Sequence, residues 1–146
     1  MDDDVKETFS LLAIHCSEDA YILAYLLNKH LGFHLKRERL DLNYVSNGLE
    51  ASFPLFQYEN NFQYTIYNLV ANKCKSLAAH VNSSGGLFYD DASEKTVVTY
   101  LIPEYRKVDY FLKIHSEYES IVLKNIITEI NNIKRIISAY EIGVDS

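Results

Sequence analysis

Residues 102–110 read Ile-Pro-Glu-Tyr-Arg-Lys-Val-Asp-Tyr and join two apolar runs of the chain. The runs, Thr96 to Ile102 and Val108 to Ile114, are rich in β-branched and aromatic residues, which is typical of strands. Pro103 cannot donate a hydrogen bond to a strand ladder, because its nitrogen carries no hydrogen. The segment therefore predicts two strands that are connected by a polar loop.

Two carboxylates in this loop, Glu104 and Asp109, are the first candidates for acid–base chemistry. If the ends of the loop lie side by side, two close carboxylates can split their pKa values and share a proton. The alternative is structural, with Glu104 accepting hydrogen bonds from loop amides and Asp109 paired with Lys or Arg. The structural role is favoured, because no nucleophile is evident beside them.

The region from Leu35 to Ile114 has a hydrophobic period of two, which predicts antiparallel strands. Asn47-Gly48 separates two alternating segments and predicts a hairpin. Pro54 places the return strand at a sheet edge or at a bulge. A further strand is predicted from Phe62 to Ala71, and residues 75–95 form the least defined region, with a loop and a short strand.

The amino-terminal part predicts a strand followed directly by a helix. Phe9 to Ile14 is a nearly continuous apolar run, which is typical of a central strand covered on both faces. Ser17 is the predicted N-cap of the helix, with Glu18 and Asp19 in its first turn. Gly32 offers a left-handed stop at the other end.

The carboxy-terminal segment predicts a helix of about 25 residues, which would extend roughly 38 Å. Ser116 and Glu119 match a capping box at its start. Apolar residues then repeat at spacings of four and three and predict a buried face, made of Val122, Ile126, Ile130, Ile133, Ile137 and Tyr140. The order of elements predicts an α+β fold, with an antiparallel sheet of about five to seven strands and this long helix packed on it.

Length and composition set the remaining bounds. The 146 residues, 48% of them hydrophobic, predict one domain with its core in residues 7–142 and flexible ends at 1–5 and 143–146. The net charge of −6 opposes binding to nucleic acid. One basic group could meet a small anion or an acidic protein, although a solvated surface is the commoner explanation. It consists of Lys29, His30, His34, Lys36, Arg37 and Arg39.

The cellular location is predicted from the cysteines and the amino terminus. Cys16 and Cys74 show no disulfide or metal spacing, which favours a reducing compartment. Met1 is followed by three aspartates, the opposite of a secretory signal, and no apolar run approaches the roughly 18 residues of a membrane span. A cytoplasmic protein without a membrane span is expected.

His15 and Cys16 precede the predicted helix, where a thiol would have a lowered pKa. Adjacent residues of an extended segment face opposite sides, so an inert cysteine is favoured over a nucleophile with a histidine base. The five histidines, His15, His30, His34, His80 and His115, lack the spacing of a metal site. No glycine-rich phosphate motif is present either, so neither a cofactor nor a metal is predicted.

One dipeptide occurs twice, as Asn28-Lys29 and Asn72-Lys73, each time near the end of an apolar segment. The functional hypothesis makes the two copies a shared clamp for an anion or a carboxylate, and they join Glu104 and Asp109 in the candidate polar site. The alternative, which is favoured, is that each asparagine ends its element and each lysine faces water.

The loop quoted first resembles the signature of the IPExxxVDY family, a bacterial family of the Bacteroidota. The matching residues are Ile102, Pro103, Glu104, Val108, Asp109 and Tyr110. Leu26–Gly32, Phe53–Glu59 and Ala71–Lys73 are similar to the family's other blocks, in the same order. The chain departs from the pattern between Lys75 and Thr96, where it is longer. The resemblance implies a similar length, but it implies no catalytic residue, cofactor or substrate.

The chain contains 12 tyrosines and no tryptophan, and tyrosine is enriched at interfaces. The first functional prediction is a non-enzymatic interaction or adaptor module with an unknown protein partner, and the isoleucine repeat also permits a homo-oligomer. The alternative is a cavity between the sheet and the long helix that binds an apolar or acyl ligand. Its predicted lining is Tyr64, Ile66, Tyr100, Tyr110 and Leu112.

Overall fold

The computed structural model describes residues 8–46, 49–77, 96–116 and 122–143. The strands are β1 (Thr8–Cys16), β2 (Lys36–Arg37), β3 (Leu42–Ser46), β4 (Leu49–Phe53), β5 (Leu55–Asn60), β6 (Thr65–Ala71), β7 (Lys73–Leu77), β8 (Thr96–Tyr100), β9 (Tyr110–Ser116) and β10 (Ile136–Ile142). The helices are α1 (Ala20–Leu31) and α2 (Leu123–Asn131), and one turn of 3-10 helix covers Pro103–Tyr105.

Antiparallel pairing dominates the described part of the chain and confirms the α+β class. Six strands form one sheet in the order β10-β1-β9-β6-β5-β2. The other strands form two antiparallel ribbons, β3-β4 and β7-β8. The strand number of the main sheet and the position of α1 directly after β1 are as predicted.

The first strand lies inside the sheet, between β10 and β9. Leu12, Ala13 and Ile14 are fully buried, which confirms the prediction of a strand covered on both faces. Leu12 and Ile14 belong to the larger core, which includes residues of α1 and α2. Ala13 points to the opposite face and packs in a second core with Phe53 and Phe111.

For α1 the predicted N-cap is wrong and the predicted C-cap is confirmed. Asp19 is the N-cap, and it makes no side-chain capping bond. Ser17 and Glu18 lie before the helix, and the carbonyl of Glu18 accepts a hydrogen bond from the Tyr110 hydroxyl. The predicted acidic first turn is therefore absent from α1. Gly32 has the left-handed conformation of a C-cap, with φ 75°.

The prediction of a long carboxy-terminal helix is wrong. Ser116 is the last residue of β9, α2 starts after Val122 and ends at Asn131, and the chain then enters the sheet as β10. The other residue of the predicted capping box, Glu119, lies outside the described residues. On the predicted buried face Ile130 and Ile133 are buried, whereas Val122, Ile137 and Tyr140 are 57%, 69% and 43% exposed.

The prediction failed because the buried residues of β10 recur at intervals similar to those of a helix. Ile136, Ala139 and Ile142 are buried at intervals of three. The first interval contains an extra residue, Ile137, because the register with β1 shifts between His15 and Cys16. The second interval arises because Ala139 and Ile142 pack in the two different cores, on opposite faces of the sheet.

The middle of the chain follows the predicted hairpin. Leu42–Ser46 pairs with Leu49–Phe53, while the turn residues Asn47 and Gly48 lie outside the described residues. Pro54 separates β4 from β5, which belong to different sheets. The strand predicted from Phe62 begins only at Thr65, because residues 61–64 form a turn. Residues 78–95 lie outside the described part.

We expect Ile130→Ala to lower the free energy of unfolding by roughly 2 to 5 kcal/mol, because Ile130 is fully buried between α2 and the sheet. Urea denaturation measures this loss. The matched control is Ile137→Ala, which removes an exposed side chain and should cost about 1 kcal/mol or less. Equal losses for the two variants would contradict the packing described above.

Candidate functional site

Asn72 is a fully buried polar residue that contacts the loop at residues 102–110. We refer to this loop as the signature loop. Its side-chain amide donates to the carbonyl oxygens of Tyr105 and Val108, at 2.8 and 3.0 Å. Its amide oxygen accepts a hydrogen bond from the backbone N–H of Ile102 at 2.8 Å. The backbone of Asn72 also accepts from Leu101 and donates to the carbonyl of Asp109. One residue thus holds both ends of the loop.

The apolar signature residues anchor the loop to the second core. Val108 is buried there, and Ile102 packs against it. Pro103 opens the 3-10 turn, where its missing N–H costs nothing. Glu104 lies in the first turn of this 3-10 segment and is exposed.

Asp109 and Tyr110 connect the loop to the start of α1. An oxygen of the Asp109 carboxylate accepts a hydrogen bond from the backbone N–H of Cys16 at 2.9 Å. The Tyr110 hydroxyl donates to the carbonyl of Glu18 at 2.5 Å. Burial raises the pKa of Tyr110, and nearby acidic groups add to this effect. The Asp109 carboxylate therefore bonds to the backbone, while Glu104 faces solvent.

Cys16 and His15 do not form a nucleophile–base pair. Cys16 is buried, and its thiol donates to the carbonyl of Arg135 at 3.7 Å. Burial raises the pKa of this thiol, so the lowered pKa expected before a helix is not found. On the opposite face, the His15 Nε2 atom lies 2.9 Å from the Tyr140 hydroxyl, and the two rings stack.

The Asn-Lys dipeptides occupy separate places. The Asn28 amide donates to the carbonyl of Leu35 and accepts from its N–H, at 3.2 and 2.8 Å. Lys29 is exposed, with its ammonium 6.0 Å from the centre of the Tyr25 ring. Lys73 is also exposed. Both asparagine amides, at positions 28 and 72, therefore hold neighbouring backbone.

The basic group and the histidines do not converge on a metal site. Arg37 pairs with Asp41 at 2.6 Å, and His34 meets the Tyr58 ring edge-on. In the described ranges, no three His, Cys, Asp or Glu side chains come together as a metal centre would require. His80 lies outside these ranges.

An open groove of about 330 Å³ lies between the end of α1, the β5–β6 hairpin and α2. Its lining is Leu31, Gly32, Phe33, Tyr58, Asn60, Gln63, Tyr67, Val122, Asn125, Ile126 and Glu129. The ring centres of Phe33, Tyr58 and Tyr67 are 4.4 to 5.6 Å apart, so the three rings form a continuous floor. We refer to this feature as the aromatic groove.

The aromatic groove differs from the cavity expected from the sequence. It does lie between the sheet and a carboxy-terminal helix, but none of the expected lining residues contributes to it. Leu112 is fully buried in the core, Tyr110 bonds to Glu18, and Tyr64 is exposed on the turn after β5. Ile66 is half-buried on β6, and Tyr100 is half-buried on β8.

Tyr67 is the most unusual residue of the groove. Its side chain is only 2% exposed. Within the described residues, its ring contacts Phe33 and Tyr58, and no hydrogen-bond partner is found for its hydroxyl. Burial raises the pKa of this hydroxyl, with a smaller contribution from Tyr58, so it stays protonated at neutral pH. A buried hydroxyl without a partner is costly and calls for an explanation.

The edge of the main sheet is a second candidate. In the described residues β10 pairs with β1 alone, and on its other side the Asn131 amide bonds to the backbone N–H and carbonyl of Ala139. Ile137 and Tyr140 are exposed on this strand, and Glu141 is its only charged residue. The bulge is confined to the start, and residues 138–142 pair regularly. At the opposite edge, β2 has only two residues, both basic, which is a usual protection against pairing.

Sequence reasoning missed both the groove and the edge, because both depend on the division of the last segment into α2 and β10. A local signal was present in Asn131-Asn132, since adjacent asparagines favour the end of a helix. The Asn131 amide bonds to the carbonyl and the N–H of Ala139, at 3.0 and 2.9 Å, and so joins the end of α2 to β10.

We expect Asn72→Ala to destabilise the protein by at least about 3 kcal/mol, because it leaves buried loop groups without partners. Asn72→Asp has nearly the same volume but lacks the amide donors, so it should cost at least as much. Chemical denaturation measures both losses. The control is Lys73→Ala, an exposed position, whose free energy of unfolding should stay within about 0.5 kcal/mol of the wild type. A loss below about 1 kcal/mol for Asn72→Asp would contradict the role of the amide.

Tyr110 should make stability depend on alkaline pH. Its pKa is raised in the folded state, so the folded protein binds its proton more tightly than the unfolded chain does. This contribution is complete below about pH 10, the pKa of an ordinary tyrosine, and is lost as the pH rises above it. Tyr67 contributes in the same direction.

Thermal unfolding between neutral pH and about pH 11 should therefore show a steeper loss for the wild type than for Tyr110→Phe. At neutral pH the variant should be about 1 kcal/mol less stable, because the hydrogen bond to Glu18 is gone. Tyr21→Phe alters an exposed ring and should keep the wild-type slope. Identical slopes for Tyr110→Phe and the wild type would contradict the prediction.

Known proteins give no direct guide to the role of these features. No protein-family model, no curated protein and no solved structure matches this chain. Among the residues that the structure describes, no helix is long and apolar enough to cross a membrane. Function must therefore be inferred from the side chains and their surroundings.

Proposed function

We propose that this protein is a non-enzymatic interaction module of the cytoplasm that binds a protein partner by strand addition to β10. The observation that carries the proposal is the edge position of β10, which pairs with β1 alone in the described residues and bears the exposed side chains of Ile137 and Tyr140. A partner strand would replace the Asn131 amide at the backbone of Ala139. In strand addition, backbone hydrogen bonds supply affinity and the exposed side chains supply specificity. Natural sheets usually protect such an edge, unless it serves an interaction.

The hydrogen bonds made by Asn72 and by two residues of the signature loop support a non-enzymatic role. Asn72, Asp109 and Tyr110 all direct their polar groups to backbone atoms of the chain itself. A catalytic group must instead be available to a substrate. The polar loop that offered the strongest case for acid–base chemistry is thus explained by its contribution to the fold.

The exposed tyrosines do not by themselves select one surface. Tyr21 and Tyr25 lie on the outer side of α1, Tyr64 lies on the turn after β5, and Tyr105 lies in the signature loop. Single exposed aromatic residues are normal on protein surfaces. Tyr140 differs from the others, because it lies on the strand at the edge of the main sheet.

A second copy of the chain is a partner that can be tested directly. Antiparallel pairing of two β10 edges would bring Lys134 and Arg135 of one copy close to Glu141 of the other, so opposite charges would meet at both ends. The same strand would then be used by both copies, as in an isologous dimer.

Ile137→Lys tests the proposal, because a lysine on an edge strand opposes pairing without removing a buried group. We expect the wild type to form a dimer in light scattering, or to capture a partner from cell extract, and Ile137→Lys to lose that species. Leu40→Lys is the matched control, since Leu40 is 80% exposed but lies outside the sheet.

The wild-type association should survive in the Leu40→Lys variant. Native mass spectrometry of the gently purified protein would identify the species that is bound. A wild type that stays monomeric and captures no partner would contradict the proposal. So would an Ile137→Lys variant that keeps the same partner at the same affinity.

A further inference from the structure

The aromatic groove combines an apolar part with a polar part. Its apolar side chains, apart from the three rings of the floor, are Leu31, Val122 and Ile126. Its polar side chains, apart from Tyr58 and Tyr67, are Asn60, Gln63, Asn125 and Glu129. A volume of about 330 Å³ is near the lower end for small-molecule sites, so the groove suits a small ligand rather than a long acyl chain.

The hydroxyl of Tyr67 points to a bound molecule. Tyr67 lines the groove and is 2% exposed, and its hydroxyl has no hydrogen-bond partner among the described residues. A ligand that hydrogen-bonds to it would offset the cost of its burial. An apolar molecule would leave that cost in place, so the ligand must carry a polar group.

The charge of the groove selects a cation over an anion. Among the described residues, Glu129 is the one acidic side chain that lines the groove, and no Lys, Arg or His side chain lines it. The end of α1, at Leu31 and Gly32, adds the negative partial charge of helix carbonyls. The faces of aromatic rings attract cations as well.

Two features oppose a cation, and both are weaker. The start of α2 at Val122 and Asn125 contributes positive partial charge, but Glu129 on the same helix carries a full negative charge. His34 lies edge-on against the outer ring of Tyr58 and does not line the groove. The net charge of −6 also favours a cation over an anion.

We infer that the aromatic groove binds a small organic amine with an apolar body. Glu129 balances the charge of its ammonium group, the Tyr67 hydroxyl hydrogen-bonds to it, and the apolar body lies on the ring floor. This site goes beyond the proposed protein interaction and is independent of it, because the groove is formed by α1, β5, β6 and α2 and does not include β10.

Phenethylamine is a suitable probe, because two molecules of similar shape differ from it in charge. Hydrocinnamate is an anion and phenethyl alcohol is neutral. We expect isothermal calorimetry to give an affinity for phenethylamine that is at least about tenfold higher than that for hydrocinnamate. Equal affinities for the amine and the anion, or no binding of the amine at millimolar concentration, would overturn the inference.

Two variants then test the named residues. Glu129→Gln should lower the affinity for phenethylamine about tenfold and leave the affinity for phenethyl alcohol unchanged, because the substitution removes only the charge. Tyr67→Phe should weaken both the amine and the alcohol, without lowering the melting temperature, because its hydroxyl has no internal partner to lose. Glu59→Gln, an exposed residue of β5 outside the groove, should behave as the wild type.

If Glu129→Gln bound phenethylamine as tightly as the wild type, the conclusion that Glu129 balances the ammonium charge would be overturned. A clear loss of stability in Tyr67→Phe would overturn the assignment of the hydroxyl, because it would reveal an internal partner. Ile137→Lys separates the two proposals, since it should abolish partner binding and keep full affinity for phenethylamine.

Discussion

The fold depends on one constraint that recurs three times: a buried backbone N–H or C=O needs a partner wherever the chain leaves regular structure. An asparagine amide offers the same donor and acceptor as a neighbouring strand. Asn28 offers this donor and acceptor to the chain after α1, Asn72 to the signature loop, and Asn131 to Ala139 in the middle of β10. Asn72 matters most, because the loop it holds carries Asp109 and Tyr110 to the start of α1.

Two short sequence segments that the sequence analysis singled out contact each other in the fold. Ala71–Lys73 contains Asn72, which bonds to the backbone of the loop at residues 102–110. A third block, Leu26–Gly32, contains Asn28 and the left-handed Gly32 that ends α1. The polar groups of Asn28, Asn72, Asp109 and Tyr110 in these blocks all bond to the backbone and so supply local architecture. The β10 edge and the aromatic groove, to which the two proposals refer, lie elsewhere on the molecule.

The elements predicted correctly are those in which a local pattern has one physical meaning. The apolar run of β1, the glycine after α1 and the pairing of β3 with β4 are of this kind. The last segment was ambiguous, because a bulge and burial on both faces gave β10 the spacing of a helix. The groove was out of reach for the same reason, since its wall is a short helix placed by distant contacts. The positions of Asn28 and Asn72 were visible, but their partners lie across the fold.

The place of β1 in the sheet has a consequence for synthesis of the chain. Its two neighbours, β9 and β10, follow it late in the sequence, and the contact between His15 and Tyr140 spans 125 residues. This apolar strand therefore leaves the ribosome long before its partners exist. Closing such distant contacts is slow, and an exposed strand of this kind invites aggregation in the meantime. The nascent chain should accordingly depend on chaperones until β10 has emerged.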